Sequence, residues 1–256
     1  MLYEPIEIIA ISYHRPQDFT LCIDSIIQNT HVPYNLTIID NSCGSINKEL
    51  NNYQAHNIKI IRNNENIGKG ASFKKWYHLI MKNKRSPYIV SLDCDILVPP
   101  KWLYKLISAA NKTKQFGAIA PVLQKNHKDT FQEQLKNKNL TMHGGYDGFK
   151  YKKQIQQGIY YNIKTAGSLF LISKKFFESI NGYPGDCIFG HDDGYICSQA
   201  LKLKKFIGFT TDVSCVHLNN NCTIGYNKWK VKNLNNFEIH KGFWDQSENH
   251  DSIGLL

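Results

Sequence analysis

The segment Tyr88–Asp95, with the sequence YIVSLDCD, indicates the fold of this chain most clearly. Its first part, Tyr88 to Leu92, is mostly apolar, long enough for a buried strand and too short for a helix. Asp93 and Asp95 follow, with one residue between them. Two carboxylates at positions i and i+2 of an extended segment point to the same side. They repel each other unless a cation lies between them or water solvates them.

A carboxylate pair of this kind suits a hard divalent cation. Oxygen ligands select Mg²⁺ or Mn²⁺, and these ions often complete their coordination shells with phosphate oxygens. An exposed turn also accounts for an Asp-x-Asp sequence taken by itself. The position of this one at the end of an apolar strand favours a ligand site, because ligands of parallel sheets bind beyond the carboxyl ends of the strands.

Three further strands are predicted before this motif, each followed by a loop or turn residues. They are Glu7–Ser12, Asn35–Asp40 and Ile58–Arg62. The segments between them carry helical patterns, the clearest being the apolar residues Phe19, Cys22, Ile23, Ile26 and Ile27. A further helix is predicted after Arg62, carrying Phe73, Trp76, Tyr77 and Ile80. Strands that alternate with helices predict an α/β fold with a mostly parallel sheet and helices on both faces. The loops after Ser12, Asp40, Arg62 and Leu92 therefore form the candidate site.

The second half of the chain has a less regular pattern. Helices are predicted at Pro100–Ala110, Lys174–Ile180 and Asp192–Leu203, and strands at Gly117–Val122, Thr165–Ile172, Phe206–Thr211 and Ser214–Leu218. Residues 123–158 are polar, rich in Lys and without a clear period. A stretch of that length in a compact domain is usually functional or mobile. Because no repeat or linker is visible, we predict one domain over residues 1–256.

The composition is that of a globular protein with an excess of positive charge. Hydrophobic residues make up 42% and charged residues 20%, which excludes a disordered tail, a rod and a disulfide-stapled miniprotein. The formal net charge is +10, but the Lys residues are scattered, and we expect no nucleic-acid partner. Seven cysteines without a Cys-x-x-Cys pair indicate free thiols in a reduced, cytoplasmic protein.

Several short motifs follow one another over residues 6–218. They are Ile11–Arg15, Ile38–Ser42, Asn64–Gly70, Asp93–Asp95, Ala166–Leu169, Gly190–Asp193 and Val213–Leu218. In this order they resemble glycosyltransferase family 2, the inverting nucleotide-sugar glycosyltransferases with a GT-A, Rossmann-like fold. The loop Asn64–Gly70 is similar to that of rhamnosyltransferase-like members. The resemblance implies a transferase of polysaccharide biosynthesis that moves a sugar from a nucleotide diphosphate-sugar to a hydroxyl of a glycan, lipid-linked or protein acceptor.

The resemblance also implies which residues hold the cation and the donor. Asp95 would coordinate Mn²⁺ or Mg²⁺ directly, Asp93 would bind the ribose or reach the metal through water, and His217 would be a further ligand. His217 equally fits a structural residue at a strand end. The nucleotide-sugar would contact Ser12, Tyr13, Arg15, Asp40, Asn66, Gly68, Lys69, Asp93 and Gly167.

By the same resemblance, an aspartate takes the proton of the acceptor hydroxyl. Asp192 is the first candidate for this catalytic base, by alignment with the family's Glu-Asp pair, and Asp193 is the second. Because His191 stands where the family usually has Glu, the assignment between the two aspartates stays open. Helix capping is the alternative role of these two carboxylates.

The composition of the chain gives a separate reason to assign Arg15 a function. Only three of the 31 basic residues are Arg, so its use at the end of the first strand suggests a need for the planar guanidinium. We predict a contact with a uracil, thymine or phosphate group, the alternative being a surface ion pair. Gly68 and Gly70 are predicted to let the backbone pass close to the nucleotide.

The resemblance divides the chain into a nucleotide-binding half, about 1–122, an acceptor half, 123–218, and a C-terminal arm, 219–256. The arm mixes aromatic residues with Lys from Tyr226 to Trp244, which suits peripheral contact with an anionic membrane or packing on the domain. No apolar stretch approaches the length of a membrane span. The oligomeric state is left open.

The sequence pattern leaves two other functions open. A sugar-1-phosphate nucleotidyltransferase shares the sheet architecture, but it usually carries a Gly-rich loop after the first strand, where this chain has Tyr13–Pro16. A sugar-binding protein could keep the fold without turnover, although the presence of both acidic motifs argues against it.

Overall fold

A computed structural model of the chain describes residues 4–13, 15–53, 55, 57–82, 86–124, 153–162, 165, 167–185 and 192–218. The strands are β1 (Ile6–Ser12), β2 (Tyr34–Asp40), β3 (Ile58–Arg62), β4 (Tyr88–Asp93), β5 (Ile96–Leu97), β6 (Phe116–Gln124), β7 (Lys153–Gln156), β8 (Ile159–Tyr161), β9 (Leu169–Ser173) and β10 (Phe206–His217). The helices are α1 (Pro16–Asn29), α2 (Asn47–Leu50), α3 (Gly68–Lys75), α4 (Tyr77–Ile80), α5 (Trp102–Asn111), α6 (Lys174–Ser179) and α7 (Asp192–Lys202).

All these strands belong to one mixed sheet. Its order is β3-β2-β1-β4-β9-β6-β10-β8-β7, and β5 pairs with β10. The four strands β1 to β4 are parallel, with Ser12 opposite Asp40 and Ile11 opposite Asp93. β9 runs antiparallel between β4 and β6. The predicted α/β fold is confirmed, and its parallel core brings the ends of β1, β2 and β4 to one edge.

Helices cover both faces of the sheet, as predicted. Alternate side chains of β1 leave opposite faces, so Ile8 packs into one core and Ile9 into the other. Helices α1 and α5 cover the first face, where Phe19 and Trp102 are fully buried. Helices α3, α4, α6 and α7 cover the second, around Phe73. The two apolar layers fix the direction of the strands and therefore the position of their carboxyl ends.

The C-terminal half contains more strand than its pattern predicts. β10 is a single strand with a register shift in its middle, where two strands are predicted. β7 and β8 form an antiparallel pair at the edge of the sheet, and β7 lies within the segment without a clear period. Three of the four β7 residues are exposed, which explains why no apolar alternation marks this strand. β9 begins at Leu169 rather than at Thr165.

Two helices differ from their predictions, one in continuity and one in the burial of an apolar residue. The helix predicted after β3 is interrupted at Trp76, which has φ −103° and ψ 16° and separates α3 from α4. The indole nitrogen of Trp76 donates a 3.2 Å hydrogen bond to Oδ1 of Asn63, a tertiary contact that the helical pattern does not reveal. In α1, Ile27 belongs to the apolar pattern but is 41% exposed.

Some predictions fall on residues outside the described ranges. These are most of the polar segment (125–152), the end of the loop before α7 (186–191) and the C-terminal arm (219–256). Within the described ranges, no helix has both the length and the apolar character needed to cross a membrane. The five described cysteines, Cys22, Cys43, Cys94, Cys197 and Cys215, are free thiols.

Candidate active site

The ends of β1 and β2 are joined through their last residues. The Ser12 hydroxyl donates a 3.2 Å hydrogen bond to Oδ1 of Asp40, and the same oxygen accepts a 2.8 Å bond from the amide of Ser42. Asp40 is only 1% exposed. Its Oδ2 is buried and has no hydrogen-bond partner among the described residues. A buried carboxylate oxygen in this state is available to a donor group of a ligand.

The loop after β3 lies beside Tyr13. The side chain of Asn66 accepts a 3.0 Å hydrogen bond from the amide of Gly68, and it also hydrogen-bonds Tyr13. Burial raises the pKa of Tyr13 above its ordinary value. Gly68 has φ +80°, a conformation that favours glycine, and it opens α3. The structure therefore brings together three of the residues predicted to contact the nucleotide.

Gly70 allows a close contact between two backbone segments of the protein. A Cβ atom at this position would lie 2.4 Å from the carbonyl oxygen of Pro184. The glycine admits the loop Tyr183–Gly185 onto α3, because only a residue without a side chain leaves room for that carbonyl. The close approach is to the protein's own backbone.

Lys69 connects the acidic motif of β4 with the acidic motif of α7. Its Nζ lies 2.8 Å from Oδ1 of Asp93 and 3.1 Å from Oδ2 of Asp192. The same nitrogen donates a 2.9 Å hydrogen bond to the carbonyl oxygen of Gly167. Burial lowers the pKa of Lys69, but the charges of the two carboxylates outweigh burial and hold it well above its ordinary value. Lys69 is therefore a charged bridge between Asp93 and Asp192.

Asp95 lies in the turn after β4 and faces two basic side chains. Nη1 of Arg15 lies 2.6 Å from Oδ2 of Asp95, and Nε2 of His217 lies 3.0 Å from the same oxygen. Nη2 of Arg15 donates a 2.6 Å hydrogen bond to the carbonyl oxygen of Leu218 and pairs with the carboxylate of Asp18. The amide of Leu218 donates to the carbonyl oxygen of Asp95 at 2.8 Å. Arg15 is thus in a partly buried ion pair and not on an open surface.

Cations of the chain itself balance the charges of Asp93 and Asp95. Burial and the neighbouring charge of Asp95 raise the pKa of Asp93 above its ordinary value despite Lys69. Burial acts in the same direction on Asp95, but the hydrogen bond and charge of His217 and the charge of Arg15 lower its pKa below the ordinary value. The two carboxylates of the motif therefore have different partners and opposite pKa shifts.

The acidic pair at the start of α7 also has two environments. Asp192 is bound to Lys69. Asp193 packs against Gly167, where a Cβ atom would lie 2.5 Å from the Cβ of Asp193, and its Oδ1 accepts a 2.8 Å bond from the amide of Gly194. Burial and the charge of Asp192 raise the pKa of Asp193 to about 7. Asp193 can therefore gain or lose a proton near neutral pH.

Tyr183 is part of this site although the sequence pattern does not select it. Its side chain is 1% exposed, and its ring packs edge-on against Phe73 and Phe177, with centroids 4.8 and 5.4 Å away. The hydroxyl lies near Lys69 and the hydroxyl of Ser91. It forms no hydrogen bond of ordinary length with a described residue. Its loop is rich in turn residues and carries no periodic signal, so the tertiary structure alone identifies it.

Oδ1 is the oxygen of Asp95 that could bind a divalent cation. Oδ1 of Asp95 is buried and lacks a hydrogen-bond partner among the described residues, and a carboxylate oxygen is a donor that Mn²⁺ and Mg²⁺ accept. The imidazole of His217 lies next to the other oxygen. In the described part of the chain, no group of three or more acidic, His or Cys side chains is arranged to hold a metal. A cation at Asp95 would need further ligands from water or bound phosphate.

The predicted site residues that the structure describes lie at the carboxyl ends of β1, β2 and β4 and in the segments around them. They form three groups: Ser12 with Asp40, Tyr13 with Asn66 and Gly68, and the charged groups around Lys69 and Asp95. Four residues of the quoted motifs lie outside the described ranges, namely His14, Ala166, Gly190 and His191.

Comparison with known proteins points to the same architecture. The sequence profile of the family described as Glycosyl transferase family 2 matches residues 7–180. No curated protein matches the sequence. GalNAc-T7, solved with UDP, GalNAc and Mn²⁺, superposes with a TM-score of 0.62 at 16% identity, over 83% of this chain and 43% of that one.

Two microbial enzymes have similar structures. The mannosyltransferase PcManGT from Pyrobaculum calidifontis, in complex with GDP-Man and Mn²⁺, gives a TM-score of 0.59 at 16% identity, over 90% of this chain and 61% of that one. S. aureus TarS 1–349 in complex with UDP gives a TM-score of 0.55 at 12% identity, over 85% of this chain and 59% of that one. The chain thus spans 43 to 61% of the length of these proteins, and at such identities the likeness shows the fold alone.

Proposed function

The chain belongs to glycosyl transferase family 2, and we propose that it transfers a sugar from a nucleoside diphosphate-sugar to a hydroxyl acceptor with inversion at the anomeric carbon. The profile match over residues 7–180 supports the nucleotide-sugar donor. Solved structures of the same fold hold UDP or GDP-Man together with Mn²⁺, which agrees with such a donor and with a divalent cation.

One observation carries the proposal: a single nitrogen of Lys69 bridges Asp93 and Asp192. The carboxylate motif at the end of β4 is the expected place of the donor diphosphate, and α7 carries the candidate base. Group transfer requires the leaving group and the base to lie close to the same reacting centre, on opposite sides of it. The Lys69 bridge holds the expected diphosphate site at Asp93 close to the start of α7 at Asp192.

The donor would lie along the ends of β1, β2 and β4. The buried Oδ2 of Asp40 is suited to accept a hydrogen bond from a nucleobase or ribose group, with Tyr13 and Asn66 beside it. Oδ1 of Asp95 would bind Mn²⁺ or Mg²⁺, with Asp93 and His217 nearby. The cation, when bound, would stabilise negative charge on the leaving diphosphate. In this proposal the segment from 123 to 218 receives the acceptor, a glycan, a lipid-linked molecule or a protein.

Asp193 is the candidate base that its raised pKa favours. A general base works best when its pKa lies near the working pH, and the pKa of Asp193 is about 7. Proton transfer to Asp192 would break its ion pair with Lys69, so we assign Asp192 to positioning. Asp193 would take the proton of the acceptor hydroxyl. The hydroxyl oxygen attacks the anomeric carbon at the same time, and the bond from that carbon to the diphosphate breaks.

A panel of nucleotide-sugars tests the donor. A donor that binds the native protein raises the melting temperature in the presence of Mn²⁺, and turnover with an acceptor mixture releases the nucleoside diphosphate. Proton NMR of the product then shows whether the anomeric configuration is inverted. Release of pyrophosphate would identify a nucleotidyltransferase instead, and donor binding without turnover would indicate a sugar-binding protein.

The base assignment is tested with Asp193→Asn and Asp192→Asn. Loss of general-base catalysis should lower kcat of Asp193→Asn by roughly 10²–10⁴-fold with donor affinity little changed. The kcat of Asp192→Asn should fall by a smaller factor. A larger loss for Asp192→Asn would assign the base to Asp192. The exposed Asp212 provides the matched control, Asp212→Asn.

A further inference from the structure

Arg15 holds one oxygen of the carboxylate that is expected to bind a cation. Its Nη1 lies 2.6 Å from Oδ2 of Asp95, and the side chains of Arg15 and Asp95 are only 12% and 17% exposed. The second guanidinium nitrogen is bound to the carbonyl oxygen of Leu218 and to Asp18. The guanidinium therefore fills the space beside Asp95 with a positive charge.

The backbone of Arg15 fixes this arrangement. Arg15 has φ 59° and ψ 59°, a left-handed conformation that is unfavourable for residues other than glycine and persists where the surroundings enforce it. It directly precedes Pro16, the first residue of α1, and its carbonyl oxygen accepts a 3.0 Å bond from the amide of Phe19. The side chain is thus directed at Asp95 by the start of a helix.

A divalent cation at Asp95 would lie next to this guanidinium. Two like charges beside one carboxylate repel each other, most strongly where both are shielded from water. We propose that Arg15 and the divalent cation compete for Asp95, so that the cation binds well only when a nucleoside diphosphate draws Arg15 away from this carboxylate. The proposal rests on the proposed function, since it takes the nucleoside diphosphate as the ligand that arrives with the cation.

The chemistry of the two partners supports this exchange. A diphosphate offers several anionic oxygens, and the planar guanidinium binds phosphate in a bidentate manner. Once Arg15 pairs with the diphosphate, its charge no longer repels a cation at Oδ1 of Asp95, and the cation in turn binds phosphate oxygens. Arg15 is thereby a positioning residue that makes the binding of cation and donor cooperative.

Titration with Mn²⁺, followed by electron paramagnetic resonance of the free ion, tests the proposal on the full chain. For the wild-type protein, excess UDP, GDP or thymidine diphosphate should strengthen Mn²⁺ binding at least tenfold. For Arg15→Met, Mn²⁺ without nucleotide should bind at least tenfold more tightly than to wild type, while nucleoside diphosphate without metal binds more weakly. Opposite changes for the two ligands distinguish competition from general damage to the site.

Two further variants keep the test decisive. Arg15→Lys retains the positive charge and should leave Mn²⁺ binding without nucleotide weak, and it replaces Arg15→Met as the informative variant if that protein does not fold. Arg62→Met removes the same type of side chain at the exposed end of β3 and should bind Mn²⁺ as wild type does.

The inference would be overturned if Arg15→Met bound Mn²⁺ alone no more tightly than wild type, or if Arg15→Lys bound it more tightly. Wild-type protein that binds Mn²⁺ equally well with and without nucleoside diphosphate would also contradict it and would leave the proposed function intact. Failure of every nucleoside diphosphate to bind, with or without Mn²⁺, would contradict the proposed function itself.

Discussion

The ammonium nitrogen of Lys69 lies 2.8 Å from Oδ1 of Asp93, which joins the first turn of α3 to the last residue of β4. The same nitrogen is bound to Asp192 at the start of α7, so three elements meet at one charge. This bridge offsets the repulsion between two carboxylates at the candidate site.

Replacing Lys69 with Met should destabilise the protein and abolish most of its activity. Breaking a buried ion pair costs roughly 3–5 kcal/mol because a charge stays behind unpaired. The side chain of Asp93 is 36% exposed, so we expect a smaller loss of unfolding free energy, about 2 kcal/mol. Urea unfolding of Lys69→Met measures this loss of unfolding free energy. Lys105→Met, in the exposed part of α5, is the control, and equal stabilities of the two variants would show that the bridge carries no net energy.

The pKa of Asp193 makes stability depend on pH in a defined direction. Its pKa is raised from 3.8 to about 7, so between these values the folded state binds more protons than the unfolded state. The contribution of Asp193 to stability therefore falls as pH rises through this window and is constant above it.

Asp193→Asn removes this dependence. Its unfolding free energy should exceed that of wild type by an amount that grows from pH 5 to pH 7 and then levels off, at most about 4 kcal/mol. Urea unfolding at several pH values measures the difference, with Asp212→Asn as the control. A difference that is independent of pH would contradict the raised pKa.

Gly70→Ala should loosen the loop Tyr183–Gly185 from α3. The added Cβ would meet the carbonyl oxygen of Pro184 at 2.4 Å, and overpacking against backbone costs about 1–3 kcal/mol. Gly185→Ala is the matched control, because its Cβ would meet Cδ of Lys74 at the same 2.4 Å and that flexible side chain can move away. Thermal unfolding that ranks Gly185→Ala as the less stable variant would refute this explanation.

The hydroxyl and the ring of Tyr183 should contribute separately to the free energy of unfolding. The hydroxyl is buried without a regular hydrogen bond, so Tyr183→Phe should keep or raise the unfolding free energy, by up to about 1 kcal/mol. Tyr183→Ala should lose about 3–5 kcal/mol, because the ring packs against two phenylalanines. Denaturant unfolding compares the two, and a clear loss for Tyr183→Phe would show that the hydroxyl has a structural partner.

The strands and helices with a local residue pattern could be predicted from the amino-acid sequence. Apolar runs identified β1 to β4, since a buried strand needs only a few consecutive apolar residues. The turn and acidic residues after those runs marked the carboxyl ends where Ser12, Asp40 and Asp93 lie. The helices on both faces followed from the alternation, because right-handed crossovers leave few other arrangements.

The pairing of charges could be seen only in the folded protein. Lys69 is 24 residues from Asp93 along the chain, and Arg15 is 203 residues from Leu218. Contacts of this range depend on the strand order, which places β4 between β1 and β9 and ends β10 beside β5. A residue pattern reports the neighbours within a helix turn or along a strand, whereas the ion pairs of Arg15 and Lys69 arise only after the sheet has brought distant ends together.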